Sequence, residues 1–338
     1  MTDTLSHYQQ LLAPSAALIK DLRRIEGDIL ILGAGGKMGP DLCRLARHSS
    51  DVAETPRNII AVSRFSDKQT QEELQQAGIK TINANLLNDE ELQALPHAPN
   101  VLYLAGTKFG TAGKEHLTWA MNSYLPGRVA NHYRQSRIVV FSTGNVYPLV
   151  PVASGGATEK YPPGPVGEYA QSCLGRERVF EHFSSVHQTP VLIYRLNYAN
   201  DVTYGVLLEI GRSVLQGKPI DLSMGHVNAI WQSDANEMAI RSLLHCSAPP
   251  KTLNVTGPET ISVQWAAMTF GRCFDKQPVF LNEPQPSALL SNAAESLQLF
   301  GYPKVSLLQM IEVQAKWLLE GRKTINKPTH YQQRDGKY

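Results

Sequence analysis

Three glycines spaced by threes, Gly33, Gly36 and Gly39, enclose Lys37 and Met38 in the run Gly33-Ala-Gly-Gly-Lys-Met-Gly39. Ahead of them lies the apolar run Asp28-Ile-Leu-Ile-Leu32, and behind them a helical spacing through Leu42, Leu45 and Ala46. At a strand-to-helix junction each glycine meets a physical need: a tight turn, close approach of backbone to a diphosphate, and close packing of helix on sheet. The amides that open the helix then face the phosphates together with the positive end of the helix dipole. That spacing points to a bound dinucleotide.

The tip of the second strand chooses between the nicotinamide cofactors. An acid there holds the ribose 2′-hydroxyl, whereas a base takes a 2′-phosphate. Here Asn58-Ile-Ile-Ala-Val62 runs out into Ser63 and Arg64, with Lys68 nearby. Arg64 can stack on the adenine and pair with a 2′-phosphate, so NADP is preferred to NAD. A solvated loop arginine is the alternative, and Asp67 keeps NAD open.

Groups of this kind need a scaffold, and the chain alternates short apolar runs with helical patterns. After the first two strands, Lys80–Ala84, Asn100–Leu104, Arg137–Phe141 and Val191–Arg195 read as four more. Helical patterns fall over Gln71–Ala77, Asn88–Leu95 and Leu117–Tyr133. Such alternation implies right-handed crossovers and a doubly wound parallel sheet, an α/β Rossmann-type fold. Residues 1–26 read as a helical extension broken at Pro14, and 27–200 as the nucleotide-binding domain. A smaller substrate-binding lobe follows over 201–322, with some return to the first domain, and 323–338 form a polar tail.

Composition narrows the function. A net charge of +2 over 338 residues gives no electrostatic case for nucleic acid or an anionic membrane. No apolar stretch has the length of a membrane span, and no secretory signal opens the chain. Cys43, Cys173, Cys246 and Cys273 are scattered, without metal-ligand spacing, which fits reduced thiols in the cytoplasm and no metal.

Further motifs follow in order: Asn85-Leu86, Leu104-Ala105-Gly106, Asn122, Ser142-Thr143-Gly-Asn145-Val-Tyr147, Tyr169-Ala-Gln-Ser-Cys173 and Arg195-Leu-Asn197. With the glycine loop, they resemble the extended short-chain dehydrogenase/reductase superfamily, the NAD-dependent epimerase/dehydratase family in particular, over residues 28–320. The resemblance implies a C-terminal lobe that closes over a sugar, often a nucleotide sugar. It places Asn85 and Leu86 beside the adenine, Leu104, Ala105 and Gly106 under the cofactor, and Asn122 in the helix that follows. Thr143 would hold the substrate oxygen and Tyr169 would be the acid/base beside the cofactor. Asn145 and Asn197 would face the substrate.

One position departs from the family. Cys173 stands where the resemblance calls for a lysine whose charge lowers the tyrosine pKa and whose ammonium binds the nicotinamide ribose. A free tyrosine titrates near 10, and a neutral thiol supplies no charge. Lys108, just after the fourth strand, is the candidate for a relocated ammonium, an exposed loop lysine being the alternative. Cys173 itself reads as a small buried helix residue rather than a nucleophile, since no histidine partner is evident.

In the second lobe His226, Asn228 and Trp231 are candidate substrate-lining groups, with Trp231 in the core and a satisfied His226 as the other reading. Asp234 reads as the cap of a helix beginning near Ala235. The tail reads as an arm across a neighbour or as disorder, and a homodimer is allowed but not required. The expected protein is an NAD(P)-dependent oxidoreductase or epimerase acting on a sugar or nucleotide sugar. A catalytically weak nucleotide-binding sensor or assembly subunit is the alternative from another class.

Overall fold

Short runs of four to seven residues, most of them apolar and too short for stable helices, become the strands of one sheet in the computed structural model, which describes residues 3–108, 113–325 and 327–337. They are β1 (Ile29–Leu32), β2 (Ile59–Ser63), β3 (Lys80–Asn83), β4 (Asn100–Tyr103), β5 (Arg137–Thr143), β6 (Val191–Leu196) and β7 (Lys251–Val255). The seven strands run in the order β7-β6-β5-β4-β1-β2-β3, and every pairing is parallel. Ile29 to Leu32 and Asn100 to Tyr103 are all buried, as a sheet covered on both faces requires. β7 comes from beyond residue 200 and pairs with β6, Leu253 opposite Tyr194.

The strand order reverses between β1 and β4. The chain leaves β1 toward β2 and β3, then returns to the other side of β1, and this opens a crevice at the carboxyl ends of both strands. The helices that make the crossovers include α3 (Gly39–Val52), α4 (Lys68–Gln76) and α5 (Asp89–Gln93), after α1 (Thr4–Leu11) and α2 (Ala16–Leu22). After β4, α6 (Glu115–Trp119) passes through a π-helical turn, Ala120–Tyr124, into α7 (Leu125–His132). Asn122 lies in that turn, an irregularity often found at functional sites.

α8 (Gly167–His187) follows β5 and returns the chain to β6. The remaining helices are α9 (Val206–Leu215), α10 (Gln232–Arg241), α11 (Val263–Phe274), α12 (Ala294–Phe300) and α13 (Leu307–Leu319). α9, α11 and α13 enclose a second core that includes Ile210, Phe270 and Ile311. The N-terminal helices join this core through Tyr8, whose ring lies 5.4 Å from that of Trp317 and 6.2 Å from that of Trp231.

Residues 327–337 fold back on their own chain. Tyr331 is buried in the second core, and Arg334 donates to the carbonyls of Ser223 and Ser287 at 3.0 and 2.8 Å. Asp234 is not the helix cap its position implied. It lies within the first turn of α10, accepts from the Val305 amide at 3.0 Å and sits 3.8 Å from Lys304 Nζ.

Candidate active site

Two adjoining hollows lie at the carboxyl ends of the central strands. The first, about 220 Å³, is a groove bordered by Gly33 and Gly36, by Ser63 and Arg64 at the tip of β2, by Asn85 and Leu86, and by Leu104, Ala105 and Gly106. Gly33 has φ +90°, and a Cβ there would stand 2.6 Å from the Ala105 amide nitrogen, so only glycine lets the loop lie this close to the end of β4. A Cβ built on Gly36 would approach only the Gly33 carbonyl, at 3.4 Å, which leaves the backbone open to the groove. Gly39 begins α3 against Ala34. No side chain caps α3, and its first amides are thus left for a phosphate. The groove fits the diphosphate and adenosine of a dinucleotide.

The second hollow, about 230 Å³, is where the chemistry-bearing side chains meet. Lys37, Met38, Lys108, Thr143, Asn145, Tyr169 and Asn197 all line it. β5 ends at Thr143, whose hydroxyl accepts from the Asn145 amide at 3.2 Å and donates to Asn145 Oδ1 at 2.9 Å. Tyr169, in the first turn of α8, is hydrogen-bonded through its phenol to Thr143 and to Cys173. Lys108 Nζ lies 5.5 Å from the centre of the Tyr169 ring, within cation–π range. Lys37 Nζ stands over the ring of Tyr204.

Burial governs the electrostatics. It pushes the Tyr169 phenol well above its ordinary pKa, with Cys173 adding to the rise and Arg176 opposing it. It pushes the Cys173 thiol up as well, which removes thiolate chemistry from neutral pH. The lysines move the other way: burial brings Lys108 down to about 8, and burial with the nearby charges of Lys108 and Lys327 brings Lys37 down to about 7. At neutral pH the cavity therefore holds a protonated phenol beside the Lys108 ammonium, with Lys37 near its own midpoint.

Three groups expected at the substrate lie elsewhere. Trp231 is wholly buried in the second core, covered by the edge of Tyr8. Asn228 is fully engaged in holding loops together, donating to the Glu259 carbonyl at 3.0 Å and accepting from the Ser291 amide at 2.7 Å. His226 pairs with Ser262 in a short antiparallel ribbon and does not line the cavity. Asn122 sits behind the site rather than in it. Its side chain donates to the Thr107 carbonyl and accepts from the Thr107 amide, both at 2.9 Å, and so clamps the segment that leads to Lys108.

Residues 29–202 match the NAD dependent epimerase/dehydratase family. The chain belongs to that family. As a member it is an enzyme built to use a nicotinamide dinucleotide. Solved structures of similar fold include MoeE5 in complex with UDP-glucose and NAD, with a TM-score of 0.71 and 18% identity over 87% of this chain and 99% of that one. The UDP-glucuronic acid 4-epimerase of Bacillus cereus, in complex with UDP-glucuronic acid and NAD, gives 0.70 and 18% over 87% and 99%. The UDP-glucose 4-epimerase of Thermus thermophilus, in complex with NAD, gives 0.68 and 18% over 86% and 98%. At these identities the likeness is one of fold. No curated protein sequence matches the chain.

Within the family framework the structure adds residues that the motifs did not single out. Tyr198, Tyr204, Gln232 and Thr329 complete the cavity wall, the last from the folded-back tail. Beneath the site Glu177 of α8 receives Arg195 of β6 through two bonds, Nε at 2.9 Å and Nη2 at 2.6 Å, with Glu177 0% and Arg195 4% exposed. Ser142 also donates to Glu177, and Arg195 Nη1 donates to Tyr147 at 2.6 Å. This network ties the helix that carries Tyr169 to the ends of β5 and β6. Among the described residues no helix is long and apolar enough to cross a membrane, and no group of acids, histidines or cysteines could hold a metal.

Proposed function

We propose that the protein moves a hydride between NADP, in preference to NAD, and an oxygen-bearing carbon of a sugar or nucleotide sugar, either in net redox or in epimerisation. The observation that carries this reading is the convergence of Thr143, Tyr169 and Lys108 in one cavity beside the glycine-loop groove. A bound nicotinamide supplies or takes up the hydride. Thr143 holds the reacting oxygen, Asn145 and Asn197 orient the rest of the substrate, and Tyr169 exchanges the oxygen's proton. Because the phenol is protonated at neutral pH, it is set to donate to a carbonyl, and Lys108 then stabilises the phenolate left behind. UDP-sugars bound in structures of the same fold support a nucleotide sugar as substrate.

Two features support NADP. Arg64 is exposed at the rim of the groove, and no acid lines that groove among the described residues. Asp67, the acid that would favour NAD, accepts from the Gln69 amide at 3.1 Å and the Thr70 hydroxyl at 2.7 Å as the cap of α4. Titrating both reduced cofactors by fluorescence, then following their absorbance with a panel of UDP-sugars and their ketone forms, tests this reading. Arg64→Leu is expected to weaken NADPH roughly tenfold or more and to leave NADH unchanged. Equal losses for both cofactors would refute the assignment of Arg64. The rival reading, a nucleotide-binding sensor with weak turnover, draws on Cys173 and predicts binding without any change in absorbance or product.

Lys108 sets an expected pH limb. Its ammonium is charged below about 8 and lost above it. Support for the Tyr169 phenolate is therefore full at lower pH, and reductive turnover falls as pH rises through about 8. In Lys108→Met this limb is absent and the rate is low throughout. A limb that persists in the variant would assign it to another group.

A further inference from the structure

Cys173 leaves the Tyr169 face of α8 without a charge at that position, yet the same face carries one further along. Tyr169, Cys173 and Arg176 are spaced i, i+4 and i+7, so they lie along one side of the helix. Arg176 is 6% exposed. Its Nη1 donates to the Phe141 carbonyl at 2.7 Å and its Nη2 to Asn122 Oδ1 at 2.9 Å, while its buried Nε has no hydrogen-bond partner among the described residues. The Nη2 end fills the place where a side chain on Gly106 would begin, directly behind the groove wall. Glu177, the adjacent acid, is bonded instead to Arg195 and Ser142. The guanidinium is thus a buried cation held by a carbonyl and an amide oxygen.

Its second contact reaches the other cation of the site. Asn122 takes the Arg176 bond on the same oxygen that receives the Thr107 amide, and its nitrogen holds the Thr107 carbonyl. Lys108 is the next residue. Arg176, Asn122 and Thr107 form a continuous path from the core of α8 to the ammonium over the Tyr169 ring.

We infer that Arg176 is a positioning residue: it sets a fixed, buried cation on the Tyr169 side of α8, where Cys173 leaves none, and its bond to Asn122 holds the Thr107 segment that carries Lys108 over the Tyr169 ring. This rests on the reading of Tyr169 as the proton-exchanging group. The groups that face Tyr169 are Cys173 and Arg176 from α8, Lys108 from the segment after β4 and the uncharged Thr143 from β5. Lys37 stands behind Lys108, and Tyr103 and Glu177 stand beside Arg176. Of the cations here only the guanidinium stays charged at every working pH. It also opposes the rise that burial and Cys173 impose on the phenol.

The test places 3,5-difluorotyrosine at position 169, which lowers the intrinsic phenol pKa and lets fluorine NMR follow its ionisation in the full chain. Arg176→Met and Arg176→Gln are expected to raise the midpoint by about one unit or more, roughly a tenfold fall in ionised fraction at fixed pH. Arg176→Lys stays close to the parent, and Cys173→Lys added to Arg176→Met brings the midpoint back. Gln removes the charge but keeps a polar, donating side chain in the buried space, so it serves where Met fails to fold. An unmoved midpoint in the neutral variants overturns the inference. The titration uses neither cofactor nor substrate, so it is separate from the reading beneath it, whose failure would show as a Tyr169→Phe enzyme with normal turnover.

Discussion

Tyr169→Phe is expected to lower the rate of hydride transfer by about a thousandfold, within the range found for removal of a general acid. The substitution removes one oxygen from a ring whose position is set by α8, so the cavity keeps its shape. Thr143 keeps its bonds to Asn145, and the glycine loop is untouched. Nucleotide affinity should therefore change by no more than about twofold, the worth of a weak or absent contact. Single-turnover absorbance at saturating cofactor measures the first quantity and fluorescence titration the second. A loss of less than about tenfold would move the acid/base role to another group in the cavity.

Glu177→Ala is expected to destabilise the fold by about 3–5 kcal/mol, the cost of leaving a buried charge without its partner. Arg195 would keep Tyr147 but lose both bonds to the carboxylate, and the Ser142 hydroxyl would lose its acceptor. The same reasoning predicts that Glu177→Leu with Arg195→Met recovers most of the loss, because apolar side chains of similar volume carry no desolvation cost. Urea unfolding followed by circular dichroism measures both variants. If the single variant loses less than about 1 kcal/mol, the pair does not fasten α8 to the sheet.

Legibility in the sequence follows the range of the interactions. The strands and the glycine loop stand out because burial on both faces and a turn at φ +90° impose their residues locally, as at Ile29–Leu32 and Gly33. That Lys108 lines the cavity follows from its place after β4, a position fixed by strand order. Trp231 and His226 read equally well as ligands or as structure and Asn228 reads as a ligand, and only distant partners decide their places: Tyr8 for Trp231, Glu259 and Ser291 for Asn228, Ser262 for His226. Arg176 looks like any charged residue on a long helix until Phe141 and Asn122 are seen to enclose it. The polar tail hides one buried ring, Tyr331, and one arginine with two carbonyls to bind.

Thr329 closes a wall that Lys37 opens, so the cavity draws its two sides from nearly opposite ends of the sequence. A molecule lodged there would stitch those ends together and resist fraying of either. Its occupancy should slow cleavage by proteases at the tail as much as in the glycine loop, so a ligand in this hollow would act as a clasp between the two ends of the chain.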